Sequence, residues 1–317
     1  KKILDWDGNV IFYKQSGGGG MTNDIKFTTS PSVSSANVFT VTYTDSTQDT
    51  LSYSEPSKEY TLSIPTDKVV NKIDFDNTMV DEVKVSCKIN LSDTFFTKKP
   101  KTIRLLNCDA TSSTNMDSLF YKSTVETIEM KDLDVRNVTN MSWMFGDCTE
   151  ATTIDISNWN TSSVTNLYNA FRNCKNVASL DLSSWSTSNV TNMGNMFYYC
   201  KSLQSLDLSN FNTSNVTNMG SMFYDCINIT SLDMSGFNTS NVTNMSGMFS
   251  DCTNLTSLDL SHFNTSNVTL MNGMFSNCRS LTSLNLSSFN TSKVTSMSYM
   301  FSDCSGLTSL DLSNWDI

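Results

Sequence analysis

The sequence predicts an α/β solenoid with a parallel sheet along one face and a small β unit at its N-terminal end. Cysteines stand at 148, 174, 200, 226, 252, 278 and 304, each 26 residues after the last. The phenylalanines from Phe145 to Phe301 and the valines from Val138 to Val294 keep the same step. Within each unit a helix-like apolar period alternates with a strand-like one. One coil of 26 residues cannot bury its own apolar edge, so stability must come from stacking on neighbours.

The elements follow in chain order. Met193, Met196, Phe197 and Cys200 recur as i, i+3, i+4, i+7, which predicts one face of a short helix. Leu206 and Leu208 alternate with Ser205, Asp207 and Ser209, a period of two that predicts a short strand. Phe211, Val216 and Met219 bring the chain back around the core through a polar Asn-Thr-Ser turn. A helical turn plus a strand per unit resembles the leucine-rich-repeat plan, and seven stacked strands would span roughly 35 Å at ~4.8 Å each.

The full motif is L-D-L-S-x-[FW]-N-T-S-x-V-T-N-M-x-x-M-F-x-x-C-x-x-L, as in Leu206 to Cys226. Over about residues 128–317 it resembles the BspA-like leucine-rich surface repeats of bacteria. That resemblance implies a cell-surface protein or lipoprotein, with relatives among protozoan surface proteins and phage proteins, described as adhesins or host-interaction proteins. Neither a lipobox nor a wall-sorting signal is visible, so the mode of attachment does not carry over.

Upstream the pattern decays: Asn115, Met116, Leu119, Phe120 and Ile128 still follow the template, with one residue deleted and Ser123 in the Cys position, and Ile103, Leu105 and Cys108 mark an earlier, irregular coil. Phe39, Val41 and Tyr43 alternate with threonines, and Tyr60, Leu62 and Ile64 with Thr61 and Ser63, predicting strands that cover the first coil. The division expected is a hairpin-like segment with a Gly linker at 1–20, a β-rich capping domain at 21–100 and the repeat array at 101–317. Asp7-Gly8 supplies the hairpin turn, and Gly17 to Gly20 the linker, native or from a fusion. The last residues, Leu312 to Ile317, stop partway through a coil with no polar cap. This predicts a longer natural chain or a homo-oligomeric contact through that end.

Composition narrows the function. With 21 Lys+Arg against 31 Asp+Glu the formal charge is −10, which disfavours nucleic acid and anionic membranes as partners. No apolar run approaches the ~20 residues of a membrane span, and no signal peptide is visible. A single His, at 262, excludes most His-based acid–base and zinc chemistry. No nucleophile with its base and no phosphate-binding Gly loop is found, so the chain reads as no enzyme. The ladder cysteines read as a buried thiol row, and Cys87 with Cys108 as a candidate bridge. Twelve of the 17 methionines fill two fixed core positions.

Two sets of residues are candidates for binding. The carboxylates Asp181, Asp207, Asp233 and Asp259, with Asp155 and Asp311 at either end, form an outward row at the strand centres, broken at Asn285. They are either solvated and bonded to flanking Ser, or arranged for a cationic ligand or Ca²⁺ between coils. The second set departs from the consensus: Tyr168, Arg172, Tyr198, Tyr199, Tyr224, Arg279 and Tyr299. Tyr and Arg are favoured contact residues at interfaces. Sequons such as Asn212, Asn215, Asn238 and Asn241 follow from the repeat itself. The function expected is an extracellular binding module of a bacterial surface, adhesin-like toward host protein or glycan, cell-bound or secreted. The alternatives are a virion-borne phage tail or receptor-binding protein, which oligomeric state would distinguish, and a structural spacer.

Overall fold

A computed structural model describes residues 21–31, 33, 37–75, 80–96 and 100–316, together with the backbone of 2–4 and 10–13. Strands β1 (Lys2–Leu4) and β2 (Val10–Tyr13) pair antiparallel. The predicted Asp7-Gly8 turn and the Gly17 to Gly20 linker lie outside the described residues.

Nine further strands follow. They are β3 (Asp24–Thr29), β4 (Asn37–Tyr43), β5 (Gln48–Tyr53), β6 (Glu59–Ser63), β7 (Val70–Phe75), β8 (Val80–Ser86), β9 (Thr102–Leu105), β10 (Thr127–Glu129) and β11 (Thr153–Asp155). One sheet runs β11-β10-β9-β8-β3-β6 and the other β5-β4-β7. Alternation places Phe39, Val41 and Tyr43 of β4 inward. Across the two sheets Phe27 meets Phe39 at 4.8 Å and Tyr53 at 5.1 Å.

The first sheet does not end at the N-terminal unit. From β8 it passes in parallel to β9, β10 and β11, aligning Val83, Ile103, Ile128 and Ile154 in one buried row. Arg104 on β9 donates to Glu82 on β8 and to Glu129 on β10, both at 2.7 Å. The second sheet continues as parallel bridges, Val70 to Ile89 and Ile73 to Phe96. The stack of coils therefore grows out of both sheets of the N-terminal unit.

The predicted α/β leucine-rich-repeat class is corrected here: the described residues contain no helix, and the fold is all-β. The segment predicted as a helix is a run of tight turns. In one coil the N–H groups of Met196, Tyr198 and Cys200 close turns onto the carbonyls of Met193, Asn195 and Phe197. Those of Met193, Asn195, Phe197 and Tyr199 instead donate to Asn218, Gly220, Met222 and Tyr224 in the next coil. A helix would spend every N–H on its own chain, whereas this backbone spends every second one on its neighbour. The alternation requires left-handed residues, and Asn195 (φ 54°) and Tyr199 (φ 62°) take that conformation. Every coil repeats it at matching positions, through Gly273 and Asn277 and on to Tyr299 and Asp303.

The strand row is also shorter than predicted. Regular strands end at β11, and beyond it the Leu-Asp-Leu segments show one bridge, Ser231 to Ser257. Continuity comes instead from parallel bridges at the Val-Thr-Asn corner, from Asn115 through Asn140, Asn166, Asn192, Asn218, Asn244 and Leu270 to Ser296. Side-chain amides join this corner where glycine makes room. Asn218 Nδ2 donates to Asn192 Oδ1 at 3.0 Å, and Asn244 Nδ2 to Asn218 Oδ1 at 3.1 Å. A Cβ added at Gly194 would stand 2.6 Å from the Asn218 amide nitrogen.

Inside the stack the ring of Phe197 lies 5.7 Å from Phe171 and 5.6 Å from Phe223, nearly parallel to both. The row continues to Phe301. The methionines from Met141 to Met274 at the two fixed positions are fully buried beside it. Each ladder thiol packs against the coil before it, Cys200 Sγ donating to Phe171 O at 3.1 Å and Cys226 Sγ to Phe197 O at 3.1 Å. Cys87 and Cys108 are both free thiols, and Cys108 Sγ donates to Val85 O at 3.1 Å. No helix among the described residues is long and apolar enough to cross a membrane.

Candidate functional site

The turn segment that carries the buried Met, Phe and Cys row also presents side chains outward, and there the departures from consensus gather. Tyr198 stacks on Tyr224 of the next coil at 4.7 Å and on its own neighbour Tyr199 at 4.7 Å. Tyr199 and Tyr224 are 5.7 Å apart and nearly parallel. One coil earlier, the Arg172 guanidinium lies 4.5 Å from the Tyr198 ring centroid and 5.4 Å from that of Trp143. Trp143 in turn meets Tyr121 edge-on at 5.0 Å and Tyr168 at 6.3 Å. These side chains form one aromatic face over five consecutive coils, each ring held by the coil-to-coil spacing that stacks the phenylalanines inside.

The electrostatics of this face are uneven. Lys201 pairs with Asp225 at 2.8 Å and lies 4.8 Å from the Tyr199 ring centroid. The Tyr224 phenol is pushed well above its ordinary pKa, first by burial and then by its hydrogen bond to Asp251. Burial likewise raises Tyr198, with Tyr199 adding to it and Arg172 opposing. Arg172, Asn173, Tyr198 and Tyr199 line an open depression of about 230 Å³. A second, of about 360 Å³, runs from Tyr224 to Tyr299 over serines and glycines.

Of the sequence-derived candidates, Tyr168, Arg172, Tyr198, Tyr199 and Tyr224 therefore meet in one place. Arg279 does not join them, and its Nε donates to Asn277 Oδ1 at 2.6 Å. Tyr299 takes the position held by Asn195, Ser221 and Gly273 in earlier coils, three coils beyond Ser221, and is 78% exposed. Trp143 and Tyr121 belong to the face without being among the sequence-derived candidates. Trp143 is legible as a departure, because its position holds Asn, Ser or Gly in most other coils.

The aspartate row lies on a different segment. Asp181 Oδ1 accepts from the N–H of Ser183 at 3.1 Å and from its hydroxyl at 2.6 Å, and Asp207 holds Ser209 in the same way. Asp233 and Asp259 accept the N–H of Ser235 and Ser261, both at 2.9 Å. These bonds draw the carboxyls below their ordinary pKa, the serine hydroxyl contributing most at Asp181, Asp207 and Asp233 and the backbone N–H at Asp259. Each carboxylate thus closes a turn onto the residue two positions on. Asn285, where the row breaks, accepts the N–H of Ser287 at 3.1 Å, so the turn needs the side-chain oxygen and not its charge. Among the described residues no three His, Cys, Asp or Glu converge as a metal site.

The sequon asparagines are engaged as well. Asn215 Nδ2 donates to Ser188 O and Asn241 Nδ2 to Ser214 O, both at 2.7 Å, while Asn212 Oδ1 accepts from Ser214. No curated protein and no solved structure matches the chain. Residues 89–179, 165–281 and 230–317 do match one family, described as Mycoplasma protein of unknown function, DUF285, and on that coverage of the repeat array the chain belongs to the DUF285 family.

Proposed function

We propose that the chain is a non-enzymatic, extracellular binding module of a bacterial surface, of the BspA-like kind, that attaches to host protein or glycan. The observation that carries this reading is the aromatic face running from Tyr121 through Trp143, Arg172 and Tyr198 to Tyr224. Tyr, Trp and Arg are the side chains most often responsible for binding energy at protein surfaces. Here they are spaced by a stacked backbone, so little conformational freedom is lost when a ligand settles on them. Regularly repeated contacts also suit an extended partner, engaged through several weak interactions at once.

The test is binding of the labelled chain to arrays of matrix proteins and glycans. Saturable binding is expected, falling about tenfold or more when Tyr198→Ala and Tyr224→Ala are combined, with the melting temperature shifted by only a few degrees. Absence of saturable binding to either array would overturn the proposal in favour of a structural spacer.

A further inference from the structure

Arg172 is the unusual member of the aromatic face. The molecule carries a formal charge of −10, yet among the described residues no carboxylate pairs with this guanidinium and no acceptor takes its N–H groups. Lys201 on the same face, by contrast, is neutralised by Asp225 at 2.8 Å. Two aromatic rings hold Arg172 in place, and its planar fork of donors is left without a partner.

A second observation points the same way. Asn169, three residues earlier and one coil on from Trp143, is fully buried, and both its Oδ1 and its Nδ2 lack a hydrogen-bond partner. The equivalent positions later in the stack are Asn195, Ser221, Gly247 and Gly273, so the turn accepts an amide there without requiring one. A buried amide with neither group paired costs stability, and a water or a ligand can complete it.

We propose that Arg172 and its surroundings bind a carboxylate-bearing sugar, such as a sialic or uronic acid residue at the end of or within a glycan. The guanidinium takes the carboxylate with two parallel N–H···O bonds. The depression of about 230 Å³ beside it, walled by Tyr198 and Tyr199 with the side chain of Asn173, has room for one pyranose ring. Weakly positive sugar C–H groups pack on aromatic surface. An acidic peptide carries the same carboxylate, and one that docks by adding a strand would need a free backbone edge to lie along. None is offered here, because the N–H groups of Asn173 and Tyr199 are already donated to Tyr198 and Tyr224.

This inference rests on the aromatic face being the binding surface, and the experiment separates the two. Calorimetric titration of the full chain with sialyllactose and with a hyaluronan oligosaccharide is compared with lactose and with the carboxyl methyl esters. At least one acid is expected to bind about tenfold or more tightly than its neutral counterparts. Arg172→Gln should abolish that preference, and Arg172→Lys should restore only part of it.

Equal affinity for acid and ester, or an unchanged preference in Arg172→Gln, overturns the inference. Tighter binding of a glutamate-rich peptide than of either sugar overturns it in favour of a protein ligand. If the arrays show saturable binding that survives Arg172→Gln, the carboxylate inference falls while the binding-module reading stands. No binding to arrays or sugars removes both.

Discussion

At the scale of single residues, burial has turned potentially reactive groups into packing. The ladder thiols from Cys148 to Cys278 are fully or almost fully covered, and burial pushes Cys200 and Cys252 up to about 12 from an ordinary 9.0. A folded-state pKa above the unfolded one means that folding favours the protonated thiol. That contribution is complete below about pH 9 and is lost as the pH rises toward about 12. The melting temperature should therefore hold steady up to about pH 9 and fall above it, and Cys200→Ala should make the fall shallower. The tyrosines Tyr43 and Tyr224, also raised by burial, act in the same direction, which is why the cysteine variant is needed. A flat profile above pH 9, or native thiols that react as fast as unfolded ones, would contradict the buried row.

At the scale of the element, the instructive case is the turn segment. Met193, Met196, Phe197 and Cys200 all point inward, so their spacing correctly indicates one buried face. What the spacing does not identify is the backbone beneath it, because consecutive tight turns with a left-handed residue every fourth position bury the same set as a helix. The distinguishing signal sits between the apolar residues. Asn195, Ser221, Gly247 and Gly273 precede a Met, and Asp147, Asn173, Asp225, Asp251 and Asn277 precede a Cys. Gly, Asn and Asp tolerate positive φ and are poor helix residues. Substitution separates the two backbones. A helix would gain from Asn195→Ala, whereas this turn should lose about 1 kcal/mol and Asn195→Gly should be neutral or stabilising. Urea denaturation of the two variants decides between them.

The site divides in the same way. Tyr168, Arg172, Tyr198 and Tyr224 are visible in the sequence as breaks in a strict repeat, because a repeat makes every exception conspicuous. Their assembly into one face is not, since it depends on which side chains lie in adjacent coils and lean toward one another. Asn169 is hidden for the opposite reason. It matches Asn195 one coil on, and only burial beside Arg172 distinguishes it.

At the scale of the whole molecule, stability is shared between neighbours. Each coil is ordered by the two beside it, and the first coils by the two sheets of the N-terminal unit. Removing a ring from the middle should therefore cost more than removing one from the last coil. Phe223 is fully buried between Phe197 and Phe249, whereas Phe301 is only partly buried. Phe223→Ala should cost about 3–5 kcal/mol and Phe301→Ala distinctly less, as read from urea midpoints. Equal losses would mean that the stack unfolds as one unit irrespective of position.

The backbone hydrogen bonds of the turn segment carry a direction as well as a strength. The N–H groups of Met193, Asn195, Phe197 and Tyr199 all point to the coil that follows, and those of Met219, Ser221, Phe223 and Asp225 do the same one layer on. The N–H of Thr217 toward Thr191 runs backward, as do the side-chain donors Asn218 Nδ2 and Cys226 Sγ toward Asn192 and Phe197. In an ordinary sheet the strand dipoles largely cancel. Here the peptide dipoles of each segment add along the stacking axis, as those of a helix add along its own. The array is therefore an electret in miniature. Its two ends are electrically unlike, and an external field or a charged surface would orient it along one preferred axis.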